Sequence, residues 1–323
     1  MRIIDAEATR RHLPFDTLVP ALRERFAQGC EVPLRHTHQI GRSDSFGGPA
    51  GTVLLMPAWR EDGRLGLKTV TIFPGNGALG KPALHSTYLL FDARTGEPLA
   101  QLDGNEITAR RTAGASALAA SFLARTGARR LLVAGTGRVA SLLAEAMRTV
   151  RPIVDVEVWN HRAASAEVLV AHLCALGFAA NACTDLEAAV ARADIVSCAT
   201  LATAPLIHGE WLRPGTHLDL IGSFTPQMRE ADAACFARCR VFVDTPEALA
   251  KSGDVLQAVA AGAFADDRLE ATLTELCRGQ HAGRGAGSSN ASEMTLFKSV
   301  GTALEDLAAA ELVFDQVLRE SLS

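Results

Sequence analysis

The sequence of 323 residues has no apolar run of the roughly 20 residues that a membrane helix requires. Its first segment, MRIIDAEATRRHLPF, carries charges throughout and lacks the apolar centre of a secretory signal. The formal net charge of −4 gives no general attraction to nucleic acid or anionic membranes, and the sequence contains no basic stripe with interleaved aromatic residues. These absences predict a cytoplasmic protein with neither a nucleic-acid partner nor a membrane partner.

The number and spacing of the cysteines also argue against a metal site. There are 7 of them, an odd number, and none forms a C-x-x-C pair. Cys235 and Cys239 are spaced to share a helix face, but no histidine or second pair completes a zinc site. We therefore expect reduced thiols in the core and no bound metal.

The most informative feature that is present is a glycine-rich turn of the form G-x-G-x-x-A. An apolar run, Leu131–Ala134, precedes it and predicts a buried strand. Gly135 permits a tight turn, Gly137 lets a pyrophosphate approach the backbone, and Ala140 lets a following helix pack on the strand. A second strand at 154–159 arrives where a βαβ unit needs it, so the pattern favours dinucleotide binding over an ordinary strand–turn–helix. The predicted contacts are Gly135, Thr136, Gly137, Arg138 and Val139.

The end of the second strand bears on the choice of cofactor. Proteins that select NAD often place a carboxylate there for the ribose, whereas this chain reads Asn160-His161-Arg162. Neutral Asn160 with Arg162 and Arg138 would tolerate or attract a 2′-phosphate, because a guanidinium matches phosphate oxygens bidentately. We predict that NADP(H) is favoured, with NAD(H) as the alternative; the opposing interpretation is that Arg162 only starts a helix in solvent.

The segments around this turn define the fold class. From residue 129, strands predicted at 130–135, 154–159, 194–199, 216–221 and 240–244 alternate with helices predicted at 138–149, 163–176, 185–191 and 246–261. This alternation indicates an α/β fold with a Rossmann-type doubly wound parallel sheet. Gly222 and Ser223 follow one of its strands and should border the nucleotide.

The earlier segments predict a helix at 12–28 and a mixed or antiparallel sheet from strands at 52–56, 65–73, 86–91 and 99–102. The predicted domains are 1–115 plus 298–323, including a final helix at 298–321, and 116–297.

Three basic residues of the first domain are candidates for substrate binding. Lys68 lies within an apolar strand pattern, where an unpartnered charge is costly to bury. Arg35 lies near the start of a predicted strand, and Arg111 lies near the start of a helix predicted at 108–125. A substrate carboxylate would favour such arginines. The alternatives are a Lys68 on the solvent face and two ordinary surface arginines.

Several blocks, in order, resemble the ornithine cyclodeaminase/μ-crystallin family. They are Phe73-Pro74-Gly75-Asn76, Asp103-Gly104, Thr108-Ala109-x-Arg111-Thr112, Gly135-x-Gly137 and Phe297-Lys298-Ser299-Val300-Gly301, the last followed by Glu305-Asp306. The resemblance implies a homodimer whose first domain, an α+β unit completed by the C-terminal helix, makes the dimer contact and holds the substrate. It also implies that Arg35, Lys68 and Arg111 surround the carboxylate and the imine or amine of that substrate. Asp306 is left open between a structural role and a role in the site.

One position departs from the family pattern. Cyclodeaminases of the family carry Asp in a G-x-D-x-P block, and this chain has Phe224 there, followed by Thr225-Pro226. A phenyl ring cannot handle the second amine of ornithine. The predicted activity is therefore NAD(P)H-dependent reduction of a small cyclic imino acid resembling Δ1-pyrroline-2-carboxylate. The alternatives are ornithine cyclodeamination, with Asp219 or Asp244 replacing the missing acid, and a non-catalytic crystallin-like protein that binds NADP and a small ligand.

Overall fold

The computed structural model describes residues 1–41, 50–285 and 291–322. The chain forms two compact units, one of Met1–Arg111 with Thr302–Ser323 and one of Thr112–Gly301. The boundaries predicted from the sequence lie a few residues from these. The first boundary falls within helix α3 (Gly104–Leu123), and the second lies between a strand and the last helix.

The first unit is built on a mixed sheet with the strand order β1-β6-β5-β4-β3-β2. The pairs are antiparallel except β1 with β6, which is parallel, so the predicted mixed sheet is confirmed. Its strands are β1 (Arg2–Ile4), β2 (His36–Ile40), β3 (Gly51–Trp59), β4 (Arg64–Ile72), β5 (Leu84–Asp92) and β6 (Pro98–Asp103). Its helices are α1 (Ala6–Arg11), α2 (Phe15–Gln28) and α11 (Ala303–Glu320), with a short 3-10 helix at Pro74–Leu79.

The two faces of this sheet differ in burial. On one face the side chains are buried, and helix α11 packs against β3, β4 and β5 as well as α2. The other face carries half-buried apolar residues. Both faces are therefore partly apolar along β4, which runs without a break through Lys68. Lys68 occupies an ordinary core-facing position between Gly66 and Val70.

The second unit contains a parallel sheet with the strand order β13-β12-β14-β11-β10-β7-β8-β9. All of its described pairs are parallel, which confirms the doubly wound fold class. The strands are β7 (Arg130–Ala134), β8 (Asp155–Trp159), β9 (Ala179–Ala182), β10 (Ile195–Cys198), β11 (His217–Leu220), β12 (Arg240–Val243), β13 (Leu269–Thr272) and β14 (Thr295–Lys298). Its helices are α4 (Ala140–Arg148), α5 (Ala163–Ala175), α6 (Leu186–Arg192), α7 (Ala233–Arg238), α8 (Glu247–Lys251), α9 (Gly253–Ala260) and α10 (Leu273–Cys277), with short 3-10 helices at Gly209–Trp211 and Asp266–Arg268.

The structure differs from two of the helices predicted from the sequence. The final helix does not begin at Lys298, because Lys298 ends strand β14, inserted between β11 and β12. Gly301 then adopts a positive φ of 77°, and the Thr302 hydroxyl caps the helix by accepting from the Leu304 N–H. The single helix predicted at 246–261 is two helices, since Ser252 between them is extended. No helix in the described ranges has both the length and the apolarity needed to cross a bilayer.

Candidate active site

Lys68 lies in the middle of β4, beneath the N-terminal turn of helix α11. Its side chain is only 2% exposed. The ammonium Nζ is 2.7 Å from Asp306 Oδ2 and donates a hydrogen bond to Thr108 Oγ1 at 3.3 Å. The buried charge therefore has a carboxylate partner, as burial in an apolar sheet requires.

Arg111, on helix α3, meets the same carboxylate from another side. Its Nε donates to Asp306 Oδ1 at 2.9 Å, and its Nη1 donates to Glu305 Oε2 at 2.5 Å. In the part of the chain that the structure describes, Nη2 has no hydrogen-bond partner, so it is the donor left for a ligand. Asp306 thus joins Lys68 and Arg111 into one buried cluster, whose fourth charged member is Glu305.

The charged groups of this cluster shift one another's pKa values. Burial lowers the pKa of Lys68 to about 8; Asp306 opposes this decrease, and Arg111 adds to it. Burial also works against the charge of Arg111, but Asp306 and Glu305 outweigh it and raise the pKa of Arg111. For Asp306, burial favours the neutral acid, yet Lys68 and Arg111 hold its pKa below the ordinary value. The cluster therefore holds an ammonium whose pKa is lower than that of an ordinary lysine, which suits it to proton donation.

Arg35, the third basic residue predicted to bind substrate, lies at the edge of the same sheet. It directly precedes β2, whose first residue, His36, pairs with Leu55 of β3. Lys68 pairs with Met56, the next residue of β3. Strand β3 therefore separates Arg35 from Lys68, and Arg35 is half-buried. Lys68 and Arg111 are thus joined through Asp306, whereas Arg35 is one strand removed from Lys68, just before β2.

The glycine-rich turn of the second unit has the geometry that a pyrophosphate requires. Gly135 has a φ of +119°, and a Cβ there would lie 2.5 Å from the carbonyl oxygen of Ala199, so only glycine fits. A Cβ on Gly137 would enter open space, which leaves its backbone approachable. Helix α4 follows, and no side-chain hydrogen bond caps it at Val139, so a helix N-terminus of the kind that binds phosphate comes directly after the turn. These residues fit a dinucleotide.

The residues predicted to select the cofactor lie just after β7 and β8. Asn160 donates through Nδ2 to Thr136 Oγ1 at 2.8 Å and accepts from the backbone N–H of Arg162 at 2.9 Å. The side chains of Arg138 and Arg162 are exposed. The segment that follows β8 thus presents an amide and a guanidinium, with no carboxylate from Asn160 to Arg162.

A buried glutamate that was not predicted from the sequence organises the loops beyond this turn. Glu230 Oε1 accepts from the N–H and hydroxyl of Thr200, at 2.7 and 2.9 Å, and Oε2 accepts from the Gly222 N–H at 2.7 Å. The carboxylate therefore ties the loop after β10 to the loop after β11. Burial raises the pKa of Glu230 to about 7. The neighbouring Ser223 is buried, and its hydroxyl donates to Met228 O, so only its backbone remains for a nucleotide contact.

Asp219 and Asp244, the two possible replacements for the missing cyclodeaminase carboxylate, are both buried and hydrogen-bonded to other groups. Asp219 is fully buried and accepts hydrogen bonds from Ser116 and Ser197. Asp244, also buried, accepts from the N–H groups of Thr245, Val300 and Gly301. Phe224 itself is 44% exposed and carries no acid. Within residues 1–41, 50–285 and 291–322, no group of three or more His, Cys, Asp or Glu side chains is arranged to hold a metal.

The parallel sheet with its glycine turn places the second unit in the class of Rossmann-type nucleotide-binding folds. The chain belongs to the ornithine cyclodeaminase/mu-crystallin family, whose model matches residues 4–321. It is 37% identical to a Δ1-pyrroline-2-carboxylate reductase of Colwellia psychrerythraea over 98% of this chain and 99% of that protein. It is 40% identical to a Δ1-pyrroline-2-carboxylate reductase of Paracoccus denitrificans over 95% and 94%. The solved Δ1-pyrroline-2-carboxylate reductase of Thermococcus litoralis, in complex with NADH and L-proline, aligns with a TM-score of 0.90 and 29% identity over 99% of this chain and 98% of that one.

Proposed function

We propose that this protein reduces a small cyclic ketimine that carries a carboxylate, such as Δ1-pyrroline-2-carboxylate, with a reduced nicotinamide nucleotide. The observation that carries the proposal is the similarity to Δ1-pyrroline-2-carboxylate reductases along almost the whole chain. Lys68 and Arg111, which share the carboxylate of Asp306, support it, and the phenyl ring at position 224 weighs against ornithine cyclodeamination.

Each basic residue has a distinct task in this proposal. Nη2 of Arg111 would bind the substrate carboxylate, with Arg35 as a second cation for it. Lys68 would donate a proton to the imine nitrogen, either directly or through a water molecule. The glycine turn would hold the nucleotide, which supplies the hydride. Fixing the imine carbon in this way can provide about 7–11 kcal/mol of the barrier reduction.

The direct test is nicotinamide oxidation with a panel of substrates. The panel consists of Δ1-pyrroline-2-carboxylate, Δ1-piperideine-2-carboxylate, pyruvate with simple amines, and ornithine. We expect turnover with the cyclic imines and none with ornithine. Ammonia release from ornithine without net nucleotide consumption would instead establish cyclodeamination, and nucleotide binding without any turnover would establish a crystallin-like binding protein.

We also propose that NADPH is used in preference to NADH. The amide of Asn160 and the exposed guanidinium of Arg162 support this, since no carboxylate stands there to repel a 2′-phosphate. Arg162→Ala is expected to raise the KM for NADPH about 10-fold, the loss of about 1.4 kcal/mol for one exposed charge-assisted contact. The KM for NADH should change less than about twofold. Steady-state kinetics with both nucleotides check this, and equal effects would place Arg162 outside the phosphate site.

The homodimer is proposed to form through the second face of the mixed sheet. On that face, half-buried apolar side chains lie next to one another across paired strands, including Pro57, Leu67 and Leu89. A contiguous apolar surface of this kind is typical of a protein–protein interface.

Charge placed on this face should disrupt the dimer. Leu67→Arg is expected to weaken self-association by at least about 100-fold, because each subunit would bury an unpaired charge. Sedimentation velocity over a concentration series measures this. Val154→Arg, at an exposed apolar position in the second unit, is the matched control and should leave association unchanged. A Leu67→Arg protein that sediments like wild type would exclude this face.

A further inference from the structure

We propose that Asp306 is a positioning residue for the reduction. Its carboxylate fixes Lys68 and Arg111 relative to each other and keeps Lys68 charged for proton donation. The inference rests on the proposed function, because it concerns how the proposed proton donor is maintained. The sequence alone left open whether Asp306 has a structural role or a role in the site, and the proposal assigns it a role in the site.

The two oxygens of Asp306 are divided between the two cations. Oδ2 lies 2.7 Å from Lys68 Nζ, and Oδ1 accepts from Arg111 Nε at 2.9 Å. Asp306 is 0% exposed, so water does not compete for either oxygen. Rotation of the carboxylate would disturb both contacts together. A single side chain thereby sets the separation between the proposed proton donor and the proposed carboxylate-binding group.

The backbone around Asp306 supports a negative charge at this position. Asp306 lies in the first turn of the 18-residue helix α11, after the Thr302 cap. The N-terminal end of a helix carries partial positive charge and stabilises an anion there. This helix in turn packs on β4, the strand that carries Lys68. The carboxylate is therefore held in place by the fold as well as by its two partners.

The charged and titratable groups around Lys68 come from three elements. Helix α11 provides Asp306 and Glu305, helix α3 provides Arg111, and β5 provides Tyr88, paired with Lys68 across the sheet. Asp306 contacts Lys68, and Glu305 contacts Arg111. Burial already lowers the pKa of Lys68 to about 8 with Asp306 present. Without that charge, less negative charge would offset burial and the repulsion from Arg111, and Lys68 would lose its proton more easily.

The test is a direct titration of Lys68, which needs no substrate. The chain has four lysines, Lys68, Lys81, Lys251 and Lys298, so the 13Cε signals of lysine-labelled protein can be assigned by single substitutions. Asp306→Asn is expected to lower the titration midpoint of Lys68 by at least about one pKa unit. Glu305→Gln, the same chemical change one residue earlier in the helix, should lower it much less. In the imine-reduction assay, Asp306→Asn should reduce kcat/KM about 100-fold.

Two outcomes would overturn the inference. One is a Lys68 midpoint in Asp306→Asn equal to that in wild type, and the other is an equal shift in Glu305→Gln. If the asparagine variant does not fold, Asp306→Ser replaces it, because the shorter side chain leaves room for water beside the two cations. A wild-type protein that reduces no imine would refute the proposed function alone, since the titration would still measure what Asp306 does to Lys68.

Discussion

Replacement of Lys68 with methionine is expected to lower kcat/KM for Δ1-pyrroline-2-carboxylate by at least about 1,000-fold, within the range contributed by a general acid. Methionine keeps a long, unbranched side chain in the core position of β4 but removes the transferable proton. Asp306 retains Arg111 as a partner, so the carboxylate is not left alone. The affinity for NADPH, measured by fluorescence titration, should change less than about twofold, because the proposed nucleotide contacts belong to the second unit.

A matched control for this variant is Lys251→Met. Lys251 pairs with Glu247 on helix α8, an i,i+4 contact of the kind that contributes about 0.3–0.5 kcal/mol, and it is remote from the cluster in sequence and role. Its kcat/KM should match that of wild type. Unimpaired imine reduction by a folded Lys68→Met protein would remove Lys68 from the proposed chemistry.

Replacement of Arg111 with alanine is the second change with a large expected effect. The loss of the charged group proposed to bind the substrate carboxylate through Nη2 should raise KM and lower kcat, with a combined decrease in kcat/KM of about 1,000-fold, or about 4 kcal/mol. Steady-state kinetics separate the two parameters. Added guanidinium ion should restore part of the activity, since it can enter the space left by the side chain.

The neighbouring arginine provides the control. Arg110 lies on the same helix but donates to Leu13 O and stacks over the ring of Phe15 at 5.0 Å. Arg110→Ala should therefore affect stability and leave the kinetic constants near those of wild type.

Because Arg111→Ala also leaves Glu305 and Asp306 short of a buried partner, a stability loss of about 3–5 kcal/mol is expected. Thermal unfolding and NADPH binding distinguish this loss from a defect in substrate binding. Normal kinetics in a folded Arg111→Ala protein would contradict the assignment.

The local sequence predicted the dinucleotide-binding half well. The run Leu131–Ala134, the two glycines and the alternating segments each follow short-range rules of strand, turn and helix formation. The structure confirms the doubly wound parallel class. Strand β14 was missed because Thr295–Lys298 is a short apolar segment beside a glycine- and serine-rich stretch, and its place between β11 and β12 depends on partners distant in sequence.

The candidate site was only partly predictable. Lys68 and Arg111 stood out because charges in apolar or small-residue patterns need a partner. Their shared partner is Asp306, which lies about 200 residues further along the chain than Arg111. The only local sign of this partner is a pair of adjacent acids at a helix start. Glu230 was missed for the same reason, since its partners Thr200 and Gly222 lie in other loops.

The sequence by itself determined the fold class, the phosphate-binding turn and the residues able to carry charge, because these depend on side-chain type and spacing over a few neighbouring residues. Only the tertiary structure decided which charges meet. Sheet register and helix packing bring Lys68 and Arg111 to the two oxygens of one buried carboxylate. Coulomb attraction and desolvation act through distance in space, and the folded chain sets that distance.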